Sequence, residues 1–391
     1  MDFRLTPEQQ RFRDEVETFL REQLPTDWEG QEAYEDPTGE EAWAFARRFT
    51  RKLAERRWLA MAWPPEYGGL GADPITQMLY HEAIAYYRAP VTGTMGVAWV
   101  GPAIMLYGTE EQKRRFLPGI TSGEDVWCTL YSEPGAGSDL AALQTRAVRD
   151  GDEFVINGQK IWTSGAHRSN WGWLAARTDP DAPKHKGIST FVVPMDAPGI
   201  TIRPLINMAG QHGFNEVFFD QVRIPQEYLV GELNRGWYQV AVALDFERSG
   251  IQAYAGGRRT LEEVTAFARE HRALWQRNPQ VRLMLADRAV ELATGTLIAY
   301  RIAWLQSRGK IPNYEASMSK LYGSELTQRI AATGLKVLGL YGQVAPGSRH
   351  TVLKGRLERQ YLVSVSATIA AGTSEIQRNI IATRGLGLPR G

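Results

Sequence analysis

Glu247 is the ionisable residue of this chain that is hardest to explain as ordinary surface. The segment Val240-Ala241-Val242-Ala243-Leu244-Asp245-Phe246-Glu247-Arg248 has the pattern of a helix. The positions sharing a face with Glu247 are Val240, Ala243, Leu244 and Ile251, all apolar. A carboxylate on a buried apolar face has its charged form penalised and its proton affinity raised, which suits a base that abstracts a proton. On these residues alone, a core glutamate neutralised by an arginine is the equal alternative.

Three other stretches have ligand-binding chemistry. Tyr131-Ser132-Glu133-Pro134-Gly135-Ala136-Gly137-Ser138-Asp139 joins two glycines and a proline to two serine hydroxyls, so that backbone N–H groups can approach a ligand closely. A plain surface loop has the same composition. Lys160-Ile161-Trp162-Thr163-Ser164 sets an indole beside two hydroxyls; taken alone, Trp162 reads as a core residue. In Ile369-Ala370-Ala371-Gly372-Thr373-Ser374-Glu375-Ile376-Gln377-Arg378, Ser374 with Gln377 gives a capping-box pattern. Such a helix start offers free N–H groups and positive potential to an anion, and an ordinary helix entry is its plainer reading.

The elements that must position these residues follow the order helical, β, helical. Thr6-Pro7-Glu8-Gln9 supplies a capping hydroxyl, a proline at the first helical position and Gln three residues on, after which Phe12, Val16, Phe19 and Leu20 recur at helical spacing. Asp73-Pro74 and Thr109-Glu110-Glu111-Gln112 start two more helices, and Trp63-Pro64-Pro65-Glu66-Tyr67-Gly68-Gly69-Leu70-Gly71 breaks the chain between them. From about residue 126 the period becomes two. Phe154-Val155-Ile156, Asn157-Gly158 and Gln159-Lys160-Ile161-Trp162 predict a hairpin on a type I′ turn, with further β runs at 171–177, 188–193, 200–205 and 215–224 in a small barrel or sandwich. After Gly236 the chain is helical again, with long helices over Pro279 to Arg308 and Asn313 to Leu338 that suit a bundle meeting other subunits.

A chain of 391 residues suits two or three domains. The formal net charge of +1 argues against a nucleic-acid partner held by phosphate neutralisation. Cys128 is the single cysteine, which excludes an internal disulfide and fits a reducing compartment. The histidines at 81, 167, 185, 212, 271 and 350 are scattered, without HExxH or a Cys/His cluster, so no metal is expected. With no apolar leader and no run of about 18 apolar residues, the expectation is a cytoplasmic protein that does not enter a membrane.

In this order and spacing, the three motifs resemble the acyl-CoA dehydrogenase family. The likeness runs from the Leu5-Thr6-Pro7-Glu8-Gln9 opening to the Gly385-Leu386-Gly387-Leu388-Pro389 tail, and Tyr-x-Glu-Pro-Gly-Ala-Gly-Ser-Asp with Gly-Thr-Ser-Glu-Ile-Gln-Arg-Asn-Ile-Ile is specific when found together. The resemblance implies an α+β fold: an N-terminal helical domain, here 1–125, a middle β-barrel, 126–236, and a C-terminal four-helix bundle, 237–391. It implies FAD as cofactor, without the G-x-G-x-x-G fingerprint, which this chain lacks. Tyr131, Ser132, Trp162, Thr163, Thr373 and Glu375 fall where members hold FAD. Ser138, Arg248 and Ala371 fall where they meet the acyl-CoA.

The implied reaction, part of fatty acid or lipid metabolism such as β-oxidation, removes the substrate's α-proton as the β-hydrogen leaves as hydride to flavin N5, giving a trans-2-enoyl-CoA. An electron-transfer flavoprotein is the implied acceptor. Many members carry the base just before the Gly-Thr pair, where this chain has Ala371; a smaller group, resembling isovaleryl- and long-chain-type enzymes, carries it at the position of Glu247. The family's Arg-x-x-Phe-Gly contact to a neighbouring subunit's FAD is missing from Ala268-Arg269-Glu270-His271-Arg272-Ala273-Leu274-Trp275. That loss, with the Pro346–Gly355 segment, resembles actinobacterial-type members acting on bulky or steroid side-chain CoA esters, some of them heteromers. A homotetramer or an α2β2 heterotetramer is the implied assembly. An acyl-CoA oxidase or flavin monooxygenase on the same fold, or a partner subunit of a heteromeric dehydrogenase, are the alternatives.

Overall fold

Helix capping chemistry sets where the first elements begin. In the computed structural model, which describes residues 3–30, 39–243, 249–273, 276 and 278–389, Thr6 and Gln9 form the reciprocal capping box that starts α1 (Pro7–Gln23). Its apolar stripe buries Val16, Phe19 and Leu20. Asp73 caps α3 (Pro74–Tyr86), and Thr109 with Gln112 caps α5 (Glu110–Thr121). Between them lie α2 (Glu40–Glu55) and α4 (Gly101–Tyr107).

The chain divides into two compact units that interleave in sequence. One comprises residues 31–72 and 90–247, the other 1–30, 73–89 and 248–391. The first holds α2, α4, α5, helix α6 (Gly236–Ala243) and the sheet: β1 (Trp127–Leu130), β2 (Arg146–Asp150), β3 (Glu153–Lys160), β4 (Trp171–Arg177), β5 (Ile188–Pro194), β6 (Ile200–Ile206), β7 (His212–Pro225) and β8 (Leu229–Val230). The strand order is β6-β7-β3-β2-β4-β5-β8, with β1 running parallel to β4 off this path. Trp127, Trp173, Phe191, Val192, Ile156 and Val217 lie in one continuous core with residues of α4 and α5.

The second unit packs α1 and α3 with α7 (Ile251–Glu270), α8 (Gln280–Ser307), α9 (Tyr314–Leu338), α10 (Arg356–Ala367) and α11 (Ser374–Ile380). Met78, Leu79, Ile251, Tyr254, Leu292 and Leu326 share its core. Arg88, at the end of α3, makes two 3.0 Å hydrogen bonds to the Glu263 carboxylate of α7, and Arg356 of α10 reaches the same carboxylate at 3.2 Å. Burial pushes the Glu263 carboxyl up, but Arg88 and Arg356 outweigh it and hold it below its ordinary value. No helix among the described residues is long and apolar enough to cross a membrane.

Sequence and structure part at Asn157-Gly158. These residues do not turn; they lie inside β3, which runs unbroken to Lys160. The turn is two positions ahead of Phe154, where β2 and β3 pair from Asp150 opposite Glu153 around Gly151 at φ +63°. Asn157-Gly158 is instead a bulge in the pairing of β3 with β7. Gly158 has φ +150°, and a Cβ there would stand 2.7 Å from the Thr145 Cα. The glycine serves a close backbone approach rather than a reversal of the chain. The β run at 215–224 is also longer than expected, because β7 pairs with β6 on one side and β3 on the other.

Gly158→Ala should lower stability by about 2 kcal/mol, from strain at φ and collision with Thr145. Gly135→Ala, where a Cβ meets nothing within 4 Å, should stay within about 0.5 kcal/mol of the parent. Urea-unfolding midpoints of the two variants check this.

Candidate active site

Two chain segments meet where β1 and β3 end. Tyr131 and Ser132 follow β1, Trp162 and Thr163 follow β3, and the Ile161 N–H donates to the Ser132 carbonyl at 2.9 Å. Beneath this junction lies a buried ion pair. Lys160, fully enclosed, donates to the Glu133 carboxylate at 2.8 Å and to the Tyr131 carbonyl at 3.0 Å. Glu133 also accepts from the backbone N–H groups of Gln144 at 2.6 Å and Thr145 at 2.8 Å. Burial pushes the Glu133 carboxyl up, yet Lys160 and these donors outweigh it, so it sits below its ordinary value of 4.5. Burial also pulls the Lys160 ammonium down, against the attraction of Glu133.

The side chains above this pair are arranged unusually. The Tyr131 ring is buried and stacks on Trp99 at 6.1 Å, with 16° between planes. Trp99 lies in a π-helical turn, Gly96–Val100, of the kind that re-aims side chains at functional sites. Trp162 has φ +59°, a strained value for an aromatic residue, and leaves its indole 59% exposed, with Phe214 edge-on at 6.0 Å. The expectation that Trp162 taken alone is a core residue fails here. The Tyr131 and Thr163 hydroxyls are buried with no hydrogen-bond partner among the described residues. An unpaired buried hydroxyl costs about 1–3 kcal/mol, so two beside an exposed indole mark a surface built for a polar, planar ligand. Burial pushes the Tyr131 hydroxyl well up, against the opposing influence of the nearby Trp173 indole N–H, so it remains neutral. Gly135 and Gly137 border open space, which leaves the loop backbone approachable. Ser138 is exposed on the same loop, next to Asp139, which pairs with Lys184 at 2.8 Å.

Thr373, Glu375 and Ala371 belong to the other compact unit. The sequence suggests Ser374 as the cap; the structure assigns the cap to Thr373, whose Oγ1 accepts from the Ile376 N–H at 3.2 Å. The reason is the backbone: Ala371 and Gly372 take φ +52° and +84°, so the chain enters α11 one residue early. Gln377 does not close a capping box but donates to the Ala371 carbonyl at 3.2 Å. Ser374 is left buried, its Oγ without a partner among the described residues. It faces a groove of about 750 Å³, lined by Glu325, Gln328, Arg329, Thr373, Glu375 and Arg378 among others. Glu375 is exposed and held below its ordinary value by the helix-start N–H groups and Thr373. His271, in the segment that lacks the family's Arg-x-x-Phe-Gly contact, stacks on Phe267 and approaches its carbonyl at 2.9 Å.

Glu247 and Arg248 lie outside the described residues. Sequence reasoning overlooked the Glu133–Lys160 pair, although a lysine at an inward position of a strand that buries Phe154 and Ile156 must find a partner. It also overlooked that two of the scattered histidines, His167 and His212, stack with centroids 3.9 Å apart. Nothing in their separation of 45 positions (212 − 167) signals that contact.

Three family models match the chain in succession: acyl-CoA dehydrogenase N-terminal domain over residues 6–124, middle domain over 128–222 and C-terminal domain over 234–386. The acyl-CoA dehydrogenase FadE26 of Mycobacterium tuberculosis is 37% identical across 98% of this chain and 98% of its own. Among solved structures, the Tcur3481-Tcur3483 steroid ACAD superposes with a TM-score of 0.91 at 37% identity, covering 100% of both chains. The ChsE4-ChsE5 complex from Mycobacterium tuberculosis gives a TM-score of 0.89 at 36% identity over the same coverage.

Lys160→Met should destabilise the protein by about 3 kcal/mol, because Glu133 is left buried without its cation. Adding Glu133→Gln should recover part of that loss. Glu133 is held below 4.5 in the folded chain. Its share of stability is therefore complete above that pH and lost as pH falls through the lowered value. Denaturation midpoints from pH 7 down to 3 should fall less steeply in Glu133→Gln than in the parent.

Proposed function

The chain belongs to the acyl-CoA dehydrogenase family, with its N-terminal helical, middle sheet and C-terminal helical parts, and from that membership we propose that Glu247 is its base, FAD its flavin and a bulky acyl-CoA its substrate. The enzyme is an oxidoreductase of acyl-CoA thioesters and a member of a flavoprotein family. The observation carrying the cofactor assignment is the pair of buried, unpartnered hydroxyls of Tyr131 and Thr163 beside the exposed indole of Trp162. They fit a flavin, whose ring has polar edges for hydroxyls and a flat face for an indole. Ser132, on the same junction, is a further proposed FAD contact, and Thr373 and Glu375 are proposed as FAD contacts from their match to the family's motif alone.

Bound flavin supplies a two-electron acceptor for the substrate's β-hydride. The protein's own residues handle the proton. In this reading the Glu247 carboxylate takes the α-proton, and the apolar sequence before it, Val240, Ala243 and Leu244, supports a raised proton affinity. Ile251, expected on the same helical face, instead opens α7 after Gly250 at φ +68°. Arg248 and Ser138 hold the CoA thioester ligand. The short side chain of Ala371, at the position where many members carry the base, leaves room for a branched or polycyclic chain. The steroid ACAD among the similar structures supports a bulky substrate. An electron-transfer flavoprotein is the proposed electron acceptor. We place the domain boundaries near 125 and 236, and the protein in the cytoplasm.

Two observations favour a two-chain enzyme over a homotetramer. The Tcur3481-Tcur3483 and ChsE4-ChsE5 structures each carry two protein names, and the chain lacks the Arg-x-x-Phe-Gly segment with which family members often meet a neighbour's FAD. In an α2β2 assembly the second chain supplies that contact.

Glu247→Gln should purify with its yellow flavin. The rate at which acyl-CoA bleaches that flavin without air should fall about 10²–10⁴-fold, the usual share of a general base. Anaerobic absorbance traces against short, branched, long and steroid side-chain acyl-CoAs check the base and rank the substrates. Bleaching at the parental rate in the variant overturns the assignment of Glu247.

A further inference from the structure

Asn215 is fully buried and holds Thr163 from three directions. The two residues exchange backbone hydrogen bonds, Thr163 N–H to the Asn215 carbonyl and Asn215 N–H to the Thr163 carbonyl, each at 3.0 Å. The Asn215 side-chain Nδ2 donates to the same Thr163 carbonyl at 3.0 Å. The rest of the carboxamide lies between two imidazoles: Nδ2 is 3.1 Å from His167 Nδ1, and Oδ1 is 2.8 Å from His212 Nε2. Those rings are stacked at 3.9 Å and 20°.

We propose that Asn215 is a positioning residue for the flavin-facing Trp162–Thr163 pair, with His167 and His212 locking its carboxamide in one orientation. The inference rests on the flavin reading of this junction. The lock follows from donor and acceptor counting. An amide can turn over and exchange its O and N. Turned over, Oδ1 would face the Thr163 carbonyl, oxygen against oxygen. In the orientation present, both Nδ2 hydrogens are used, one on the Thr163 carbonyl and one on His167. His167 must therefore present a bare Nδ1, and His212 must donate its Nε2–H to Oδ1. Every polar atom of the carboxamide is satisfied, which is the condition under which a buried network is rigid.

The consequence passes to the flavin side. With the Thr163 peptide pinned, only χ1 of a β-branched side chain sets where its unpartnered hydroxyl points, and β-branched residues are stiff at χ1. The clamp also follows directly on Trp162, whose strained backbone persists only where its neighbours over-determine it. Acid should release the lock, because a proton on His167 Nδ1 would meet the Nδ2 donor. Burial, His212 and Arg168 all oppose that proton, while Glu40, which pairs with Arg168 at 2.6 Å, favours it; the balance pulls His167 down to about 4.

The test uses the flavin-loaded enzyme and three variants, Thr163→Val, Asn215→Ala and the double. Each is read by the visible flavin spectrum, the rate of anaerobic bleaching by acyl-CoA, and the melting temperature. Thr163→Val should shift the spectrum and slow bleaching about tenfold, one buried hydrogen bond to a charge-bearing group. Asn215→Ala should reproduce both changes in direction and size, with the double variant no worse than either, since both remove one function. The parent, titrated toward pH 4, should show the same spectral shift, and Asn215→Ala should not. If Asn215→Ala does not keep its flavin, His212→Phe carries the test: it preserves the ring stack and the backbone pairing but frees Oδ1, and should give the same shift with smaller amplitude. A Thr163→Val shift with parental spectrum and rate in Asn215→Ala or His212→Phe, only the melting temperature falling, overturns the positioning role. A silent Thr163→Val variant overturns the flavin placement and this inference with it, and so separates the two failures.

Discussion

The desolvated ion pair of Lys160 and Glu133 is the interaction on which the candidate site depends. A lysine with no exposed surface is tolerable only if its charge is answered, and here the Glu133 carboxylate and the Tyr131 carbonyl answer it. The carboxylate is answered in turn by two backbone N–H groups from residues 144 and 145. This network joins the chain just after β1, the chain just before β2 and the last residue of β3. Hydrophobic burial alone would let those ends slide; directed hydrogen bonds to a buried charge do not. The register of Tyr131 and Ser132 against Trp162 and Thr163 therefore follows from electrostatics rather than from sheet packing.

That rigid base holds a surface which is not satisfied by the protein. Tyr131 and Thr163 bury hydroxyls without partners, and Trp162 combines positive φ with an exposed ring. Each feature costs stability, and each is removed from the ledger when a ligand supplies an acceptor or a flat apolar face. Under the proposed function the chain is most stable when loaded, and its flavin affinity and its folding are linked quantities. The Asn215 clamp has the opposite character, with every donor and acceptor matched. A satisfied network beneath an unsatisfied one is what a preorganised binding surface requires.

Much of this was legible in the sequence, and the failures are instructive. The caps at Thr6, Asp73 and Thr109 were readable because capping is local chemistry, settled within four residues. The strands at 171–177, 188–194 and 200–206 were readable because their apolar runs are bounded by glycine and proline. Asn157-Gly158 misled because the local turn signal cannot report that Thr145, on a neighbouring segment, needs the space a side chain would fill. Ser374 misled by one position, since the positive φ at Ala371 follows from how the chain leaves the preceding helix, not from the residue types. The ion pair and the stacked histidines were illegible for the same reason: both join residues separated by 27 or more positions.

Ala371 ties the sequence reading to the chemistry. An alanine at φ +52° pays a backbone penalty of about 1 kcal/mol with no side-chain hydrogen bond to offset it. That position sets the path of the backbone into the Thr373 cap of α11, and its short side chain adds no hydrogen bond there. Under the proposed function the carboxylate that family members often place there is supplied by Glu247, from a separate stretch of the chain. A carboxylate at an exposed kink would be tuned mainly by solvent. Moving the base away from position 371 separates two demands that one residue would otherwise share, shaping the substrate wall and holding the proton acceptor. The short side chain at 371 can then serve the first demand alone.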